Sequence, residues 1–407
     1  MQMRFPQKWI GRLAACAAAL FVGLGGAVQH YALELPDHYY QAADRPLSIA
    51  TLLPVTLARG STTAVPQMQE AELRLFGMIP VKTVALTTVK PADAYIGGEP
   101  FGIRMLMAGC MVVSLTSVPG VPSDPCPAAD AGIALGDVIQ AVNGKHISSN
   151  SELQAAVSGS EGAPVSVELI RGDALETIEI TPVFSPLTKR WQTGMWVRDN
   201  TAGIGTVTYY MRSAAGQIRF AGLGHAVCDP DTGEQIPLAS GDVVAVTVND
   251  VVSGSAGRPG ELRGRFETGG CIGTLQANTP CGVFGVMNAL PARRQQVPIG
   301  FRQDISRGPA EIYTTVDGSV PQAYTAEIEE IRSADASMRD LVIRVTDPQL
   351  LSLTGGIVQG MSGSPIVQNG RLVGAVTHVF VRDPSRGYGI FAERMYAQTT
   401  AFADAAG

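Results

Sequence analysis

Six residues, Gly360-Met361-Ser362-Gly363-Ser364-Pro365, constrain this chain more than any other stretch. Glycines flanking a serine and a proline closing the run specify a tight turn from which a hydroxyl can project. An apolar strand, Ile366-Val367, follows at once, then the hairpin signal Asn369-Gly370 and a second strand, Leu372 to Val376. A strand-turn-strand unit of this kind belongs in a sheet, and 46 Gly with 26 Pro supply turns for many short strands, so a mainly β chain is expected. In such a turn the N–H groups of Gly360 and Ser362 can converge on an oxyanion developing beside the Ser362 hydroxyl. Ser364 is the competing nucleophile, and a Gly-Ser turn without catalysis is the plain alternative.

The motif resembles the nucleophile loop of chymotrypsin-like proteases. Met361 stands where many of those carry Asp, so activation by an Asp paired with a freed N-terminal ammonium is not expected. A serine hydroxyl is a weak nucleophile and needs a base within hydrogen-bond reach. Of five histidines, His30 lies beside an N-terminal apolar run, His38 in an irregular stretch and His146 near a turn. His225, in Leu223-Gly224-His225-Ala226, precedes the serine by 137 positions, the chymotrypsin-like order of base before nucleophile. His378, on the strand after the nucleophile, is the second candidate, with a structural or substrate-wall role as its plainer reading.

Upstream, Pro127-Ala128-Ala129-Asp130-Ala131-Gly132 through Gly136-Asp137-Val138-Ile139 to Asn143-Gly144-Lys145 resembles the centre of a PDZ domain. Ser149 and Glu152 have capping-box spacing and open a helix through Leu153 and Val157. Val165 to Arg171 and Glu176 to Pro182 supply closing strands. In PDZ domains a peptide adds as a strand between one sheet edge and this helix. The resemblance assigns Phe101-Gly102-Ile103 to the carboxylate-binding loop and Leu153 and Val157 to the groove wall. Pro100 departs from that pattern, having no N–H to donate, which favours an internal or self-derived ligand over a free C-terminus.

At the N-terminus Arg4, Lys8 and Arg12 precede an uncharged apolar run from Leu13 to Val28, read as a signal peptide or a retained signal anchor. Residues 31–92, broken by Pro36, Pro46, Pro54 and Pro66, read as a linker with a lead-in strand over Leu73 to Val89. A net charge of −6 with scattered Lys and Arg gives no footprint for nucleic acid. Neither Cys-x-x-Cys nor His-Glu-x-x-His occurs, so no metal or other cofactor is implied. Beyond the apolar run lie Cys110, Cys126, Cys228, Cys271 and Cys281, of which Cys271 and Cys281 are the disulfide candidates by proximity.

Taken together, Leu223-Gly224-His225, Thr354-Gly355-Gly356-Ile357-Val358-Gln359 leading into the serine turn, and Gly374-Ala375-Val376-Thr377-His378-Val379-Phe380-Val381 resemble the sporulation stage IV B peptidase family. The resemblance implies a serine endopeptidase that cleaves itself. It also implies a membrane-associated regulator of an intramembrane protease as substrate, in the forespore/mother-cell intermembrane space, leading to activation of a late sigma factor. It assigns His225, Asp347 and Ser362 as the triad. Asp347-Pro348 is equally an ideal helix start, with the Asp as N-cap, and Asp229, Asp242 and Asp250 are alternative acids. The expected organisation is a signal or anchor over 1–30, the linker, a PDZ domain over 93–183 and a chymotrypsin-like double β-barrel over 184–407. Self-cleavage is expected between Val28 and Phe76. The rival readings are an HtrA-like envelope quality-control protease and a non-catalytic PDZ adaptor.

Overall fold

The computed structural model describes residues 7–42, 47, 49, 51–59, 68–89, 92–292, 294–332 and 338–405. Two compact units result, residues 1–92 with 299–305, and residues 93–298 with 306–407. Arg4, Pro46 and Pro66 lie outside the described residues.

The first unit corrects the linker reading of residues 31–92. Helix α1 (Gln7–Glu34) is followed by β1 (His38–Ala42), β2 (Val55–Arg59), β3 (Met68–Leu75) and β4 (Ile79–Val89). These strands form a sheet in the order β1-β4-β3-β2 over a core of Tyr31, Tyr39, Leu73, Leu75, Val84 and Leu86. Pro36 and Pro54 interrupt the sequence pattern but fall outside the strands, and β1 pairs in parallel with the distant β4, placing His38 opposite Ala85. Non-local pairing of that kind leaves no periodic trace in a short window. Ala15–Glu34 is long and apolar enough to cross a membrane.

In the second unit β5 (Asp93–Ile96) leads to β6 (Pro100–Leu115), whose two halves serve different layers. Its C-terminal half joins α2 (Pro127–Asp130), β7 (Val138–Val142), β8 (Lys145–His146), α3 (Asn150–Ser158), β9 (Val165–Arg171) and β10 (Ala174–Ile180) in a PDZ module with sheet order β10-β9-β7-β6. Ile139, Val142, Leu153, Val157, Val167 and Leu169 form its core. Asn143 and Gly144 both take positive φ, 52° and 73°, as a type I′ turn requires. The Ser149 hydroxyl accepts the Glu152 N–H, and the Glu152 carboxylate accepts the N–H of Ser148, closing the cap one residue earlier than the usual box. At Gly109, φ is 112° and a Cβ would lie 2.4 Å from the Ile139 carbonyl oxygen, so only glycine lets the strand turn from one layer into the next.

The N-terminal half of β6 is a barrel strand. After the small hairpin β11 (Val183–Ser185) and β12 (Arg190–Gln192) come β13 (Met195–Arg212), β14 (Ile218–Gly222), β15 (Leu238–Val252), β16 (Glu261–Thr279) and β17 (Gly282–Met287), with β18 (Gln296–Pro298) pairing β5. The pairings run β6-β15-β16-β17-β14-β13 and return from β13 to β6, closing a barrel around Phe101, Ile103, Met105, Val207, Phe220 and Val283. Phe101, Gly102 and Ile103 are therefore hydrogen-bonded on both edges, to β13 and to β15, and cannot form the predicted carboxylate-binding loop. A hydrophobic-Gly-hydrophobic triplet reads alike as a groove loop or as a barrel strand against which a neighbour packs closely. The expected Cys271-Cys281 bridge also fails. Cys271 lies within β16 and Cys281 beyond its end; at about 3.3 Å per residue the strand holds them far beyond the roughly 7 Å Cα limit for a disulfide.

A second closed barrel follows: β19 (Gly308–Thr314), β20 (Gln322–Ile331), β21 (Leu341–Val345), β24 (Asp383–Phe391), β23 (Arg371–Phe380) and β22 (Pro365–Gln368), in that spatial order. Helix α4 (Pro348–Thr354) leads into the serine turn, and α5 (Ala392–Ala405) ends the chain. Fully buried Ile312, Ile328, Leu341, Ile343, Ile366 and Leu372 fill this barrel. The chain is mainly β, with a PDZ module sharing a strand with the first of two barrels.

Candidate active site

Each barrel contributes one loop. From the first, β14 ends at Gly222, and Leu223 and Gly224 both take left-handed φ, 65° and 72°, before His225. A positive φ at a leucine is uncommon, and the Leu223 side chain is nonetheless buried in the barrel core. From the second barrel, the turn between α4 and β22 carries Ser362. Here Gly360 and Gly363 have φ of 95° and 96°, and a Cβ at Gly363 would lie 2.0 Å from the Thr206 carbonyl oxygen. Glycine is required at both positions, one for backbone conformation and the other also for clearance.

The backbone of this turn can be accounted for group by group. The Val358 carbonyl accepts from the Met361 N–H, Gln359 from the Leu262 N–H, and Met361 from the Ser364 N–H, at 2.8 to 3.1 Å. The Gly360 carbonyl accepts the Thr206 hydroxyl at 2.7 Å, the Ser362 carbonyl the Thr206 N–H at 2.9 Å, and the Gly363 carbonyl the Thr208 hydroxyl at 2.7 Å. The N–H groups of Gln359 and Gly363 donate to Gly260 and Val376. Among the described residues, the N–H groups left without a partner from Gln359 to Ser364 are those of Gly360 and Ser362. Every peptide plane is fixed and two donors remain, the arrangement an oxyanion hole needs before a substrate arrives.

Ser362 is half-buried, and its hydroxyl donates to the Thr377 carbonyl at 2.6 Å. His225 lines the same cavity of about 480 Å³, together with Gly360, Ser362, Thr377 and His378. Its Nδ1 lies 2.8 Å from the Ala226 carbonyl. A carbonyl only accepts, so Nδ1 carries the proton and Nε2 keeps its lone pair. Burial lowers the His225 pKa, and the bond to Ala226 opposes this with a smaller raising effect. The His378 ring centroid is 4.8 Å away. Its pKa is pulled down to about 4, first by burial and then by the charges of His225 and Arg339. Two imidazoles this close cannot both charge without repulsion, and burial shifts both toward the neutral form.

Asp347 is not brought to His225. It is the N-cap of α4: one carboxylate oxygen accepts the N–H groups of Gln349 and Leu350, and the other accepts that of Thr325 at 3.3 Å. The alternative acids stand elsewhere. Asp229 is buried against Arg198 and the turn amides of Asp231 and Thr232, while Asp242 and Asp250 are exposed on β15. Among the described residues no carboxylate bonds to His225. Ser364, the competing nucleophile, is fully buried.

Leu153 and Val157 face the PDZ core from α3 and also line a second cavity of about 380 Å³ with Trp191, Met195 and Val197. The sheet edge opposite α3 comes from β13, whose first residues pair with the end of β6, Met195 opposite Leu115 and Arg198 opposite Met111. Sequence reasoning did not single out Thr206 and Thr208, which bond the serine turn, or Met195 to Val197, which line the PDZ cavity. Two threonines at alternate places in an apolar strand hint at a polar contact on one face, but their partners lie more than 150 positions away.

The SpoIVB peptidase S55 family model matches residues 189–396, just over half of the chain and all of the histidine and serine loops. A PDZ domain model matches residues 101–181, so it includes the three residues that the structure gives to the first barrel. A crystal structure of the PDZ domain of the SdrC-like protein from Listeria monocytogenes is 24% identical over 22% of this chain and 87% of that one, with a TM-score of 0.19. No curated protein matches the chain. From the extent of the first match, the chain belongs to the SpoIVB peptidase S55 family and is a serine peptidase with a PDZ domain.

Proposed function

We propose that the chain is an endopeptidase in which Ser362 is the nucleophile, His225 the base, and the N–H groups of Gly360 and Ser362 the oxyanion donors. The observation that carries this reading is the pair of free N–H groups beside a serine in a turn whose other backbone groups are all satisfied. On substrate binding the Ser362 hydroxyl leaves the Thr377 carbonyl and donates to Nε2 of His225. Its oxygen attacks the scissile carbonyl while the proton passes to His225, and the carbonyl oxygen takes up negative charge between the two N–H groups. The imidazolium then gives its proton to the leaving amine, and water repeats the sequence on the acyl-enzyme. The Ala226 carbonyl orients His225 and holds its tautomer, while Asp347 anchors the helix that enters the serine turn.

The substrates we propose are this chain itself, cut between Val28 and Phe76, and a membrane-associated regulatory protein whose cleavage triggers signalling between compartments in sporulation. An apolar helix long enough for a membrane at Ala15–Glu34 and the family's identity support placement at a membrane surface outside the cytoplasm. The PDZ module selects what is presented. A peptide adds as a strand beside Met195 to Val197 and seats apolar side chains against Leu153 and Val157. No charged side chain lines that cavity, which favours an internal segment over a free carboxylate. The test compares N-termini generated by purified wild-type chain and by Ser362→Ala. Wild type should lose the N-terminal segment and Ser362→Ala should keep it; equal trimming of both would assign the cut to another protease.

A further inference from the structure

We infer that Thr206 is the positioning residue of the oxyanion hole, a role resting on the catalytic assignment above. It is fully buried in the middle of β13, on the first barrel, yet it makes two of the bonds that fix the serine turn on the second. Its hydroxyl holds the Gly360 carbonyl and its N–H holds the Ser362 carbonyl. Its own carbonyl accepts the Leu223 N–H at 3.2 Å, two residues before His225. One residue therefore ties the serine turn to the histidine loop.

The hydroxyl matters because of what Gly360 is. A glycine at φ 95° has no side chain to resist rotation about its own bonds, so the peptide planes on its two sides are the least constrained in the turn. The plane before it carries the free N–H and is held through the Gln359 carbonyl by the Leu262 N–H. The plane after it is held through the Gly360 carbonyl by Thr206, and through the Met361 N–H by Val358 in the same turn. Without the hydroxyl, the Gly360 carbonyl loses its tie to the first barrel, and rotation at Gly360 shifts Met361 and Ser362, with the second donor N–H, against the Gly360 N–H that the Gln359 carbonyl still holds in place. Thr208 is a built-in control. It makes the same kind of bond from the same strand, but to Gly363, beyond the serine, where no free N–H adjoins.

The experiment measures kcat, KM, melting temperature and affinity for a peptidyl boronate, whose tetrahedral adduct places an oxygen in the oxyanion hole. Wild type, Thr206→Val, Thr206→Ser and Thr208→Val are compared, with Ser362→Ala as the blank. Thr206→Val should lower kcat on the order of 10- to 100-fold and weaken the boronate in proportion, with KM within about twofold. Thr206→Ser should restore both. Thr208→Val should cost a similar loss of melting temperature with kcat within about threefold. Equal kcat losses in the two valine variants, or a Thr206→Val enzyme that binds boronate like wild type, would overturn the assignment. Wild-type turnover that persists in Ser362→Ala would instead overturn the catalytic reading on which it rests.

Discussion

The serine turn and the histidine loop are built to different standards. Around Ser362 every carbonyl from Val358 to Gly363 has a donor, drawn from both barrels, and the two N–H groups left over are those the proposed mechanism uses. Around His225 the ring is held by a single bond to the carbonyl of the next residue, and no carboxylate among the described residues joins it. In the proposed mechanism the oxyanion half of the site is fixed before substrate arrives, while the base half has a defined tautomer and few restraints. Preorganised donors lower the barrier because they need no reorientation as charge develops, whereas a base has only to reach the serine proton.

Removing the chemical groups should give the largest effects. Ser362→Ala and His225→Ala should each lower kcat/KM on the order of 10⁴-fold or more, and together no further than either alone, because they act as one unit. His378→Ala should stay within about tenfold; a loss equal to that of His225→Ala would transfer the base role to His378 and break the contrast as drawn. Gly363→Val comes next. A Cβ 2.0 Å from a backbone oxygen forces the turn to move, so labelling of Ser362 by a serine-directed phosphonate should fall at least tenfold while the unfolding transition remains cooperative. Unchanged labelling would show that the turn tolerates displacement.

Asp347 separates a cap from a triad acid. Asp347→Ala should cost about 0.5–2 kcal/mol of stability by uncapping α4, with a modest loss of turnover. Asp347→Asn keeps the cap and should restore both. A folded Asp347→Asn enzyme slowed about 10⁴-fold would instead mark an acid that sets the tautomer of the base. The smallest expected effect is on pH dependence. Both active-site histidines have lowered pKa values, so their contribution to stability is present above pH 6.5. Below that, the unfolded chain takes up protons first, and the contribution is lost as pH falls toward 4. The acid limb of kcat/KM should accordingly lie below pH 6.5 and should move when His378 is replaced by Gln.

What was legible in the sequence was local. The serine turn, the Asn143-Gly144 hairpin and the Ser149 cap each announce themselves within a few residues, because a positive φ or an orphan N–H must be met nearby. The pairing of β1 with β4, the sharing of β6 between PDZ module and barrel, and the bonds from Thr206 and Thr208 depend on partners far along the chain. Phe101-Gly102-Ile103 shows the cost of a motif read without its neighbours: the pattern fits two layers, and only the pairings on both edges decide. Asp347 was ambiguous for a different reason, since one carboxylate suits a helix cap and a triad equally until its oxygens are assigned.

The most direct test is to treat the purified chain with a serine-directed fluorophosphonate and map the adduct by mass spectrometry, with and without His225. A single adduct on Ser362, formed in wild type and lost in His225→Ala that melts like wild type, is the expected result. An adduct on another serine, or labelling of Ser362 that does not depend on His225, would contradict the assignment of this pair as nucleophile and base.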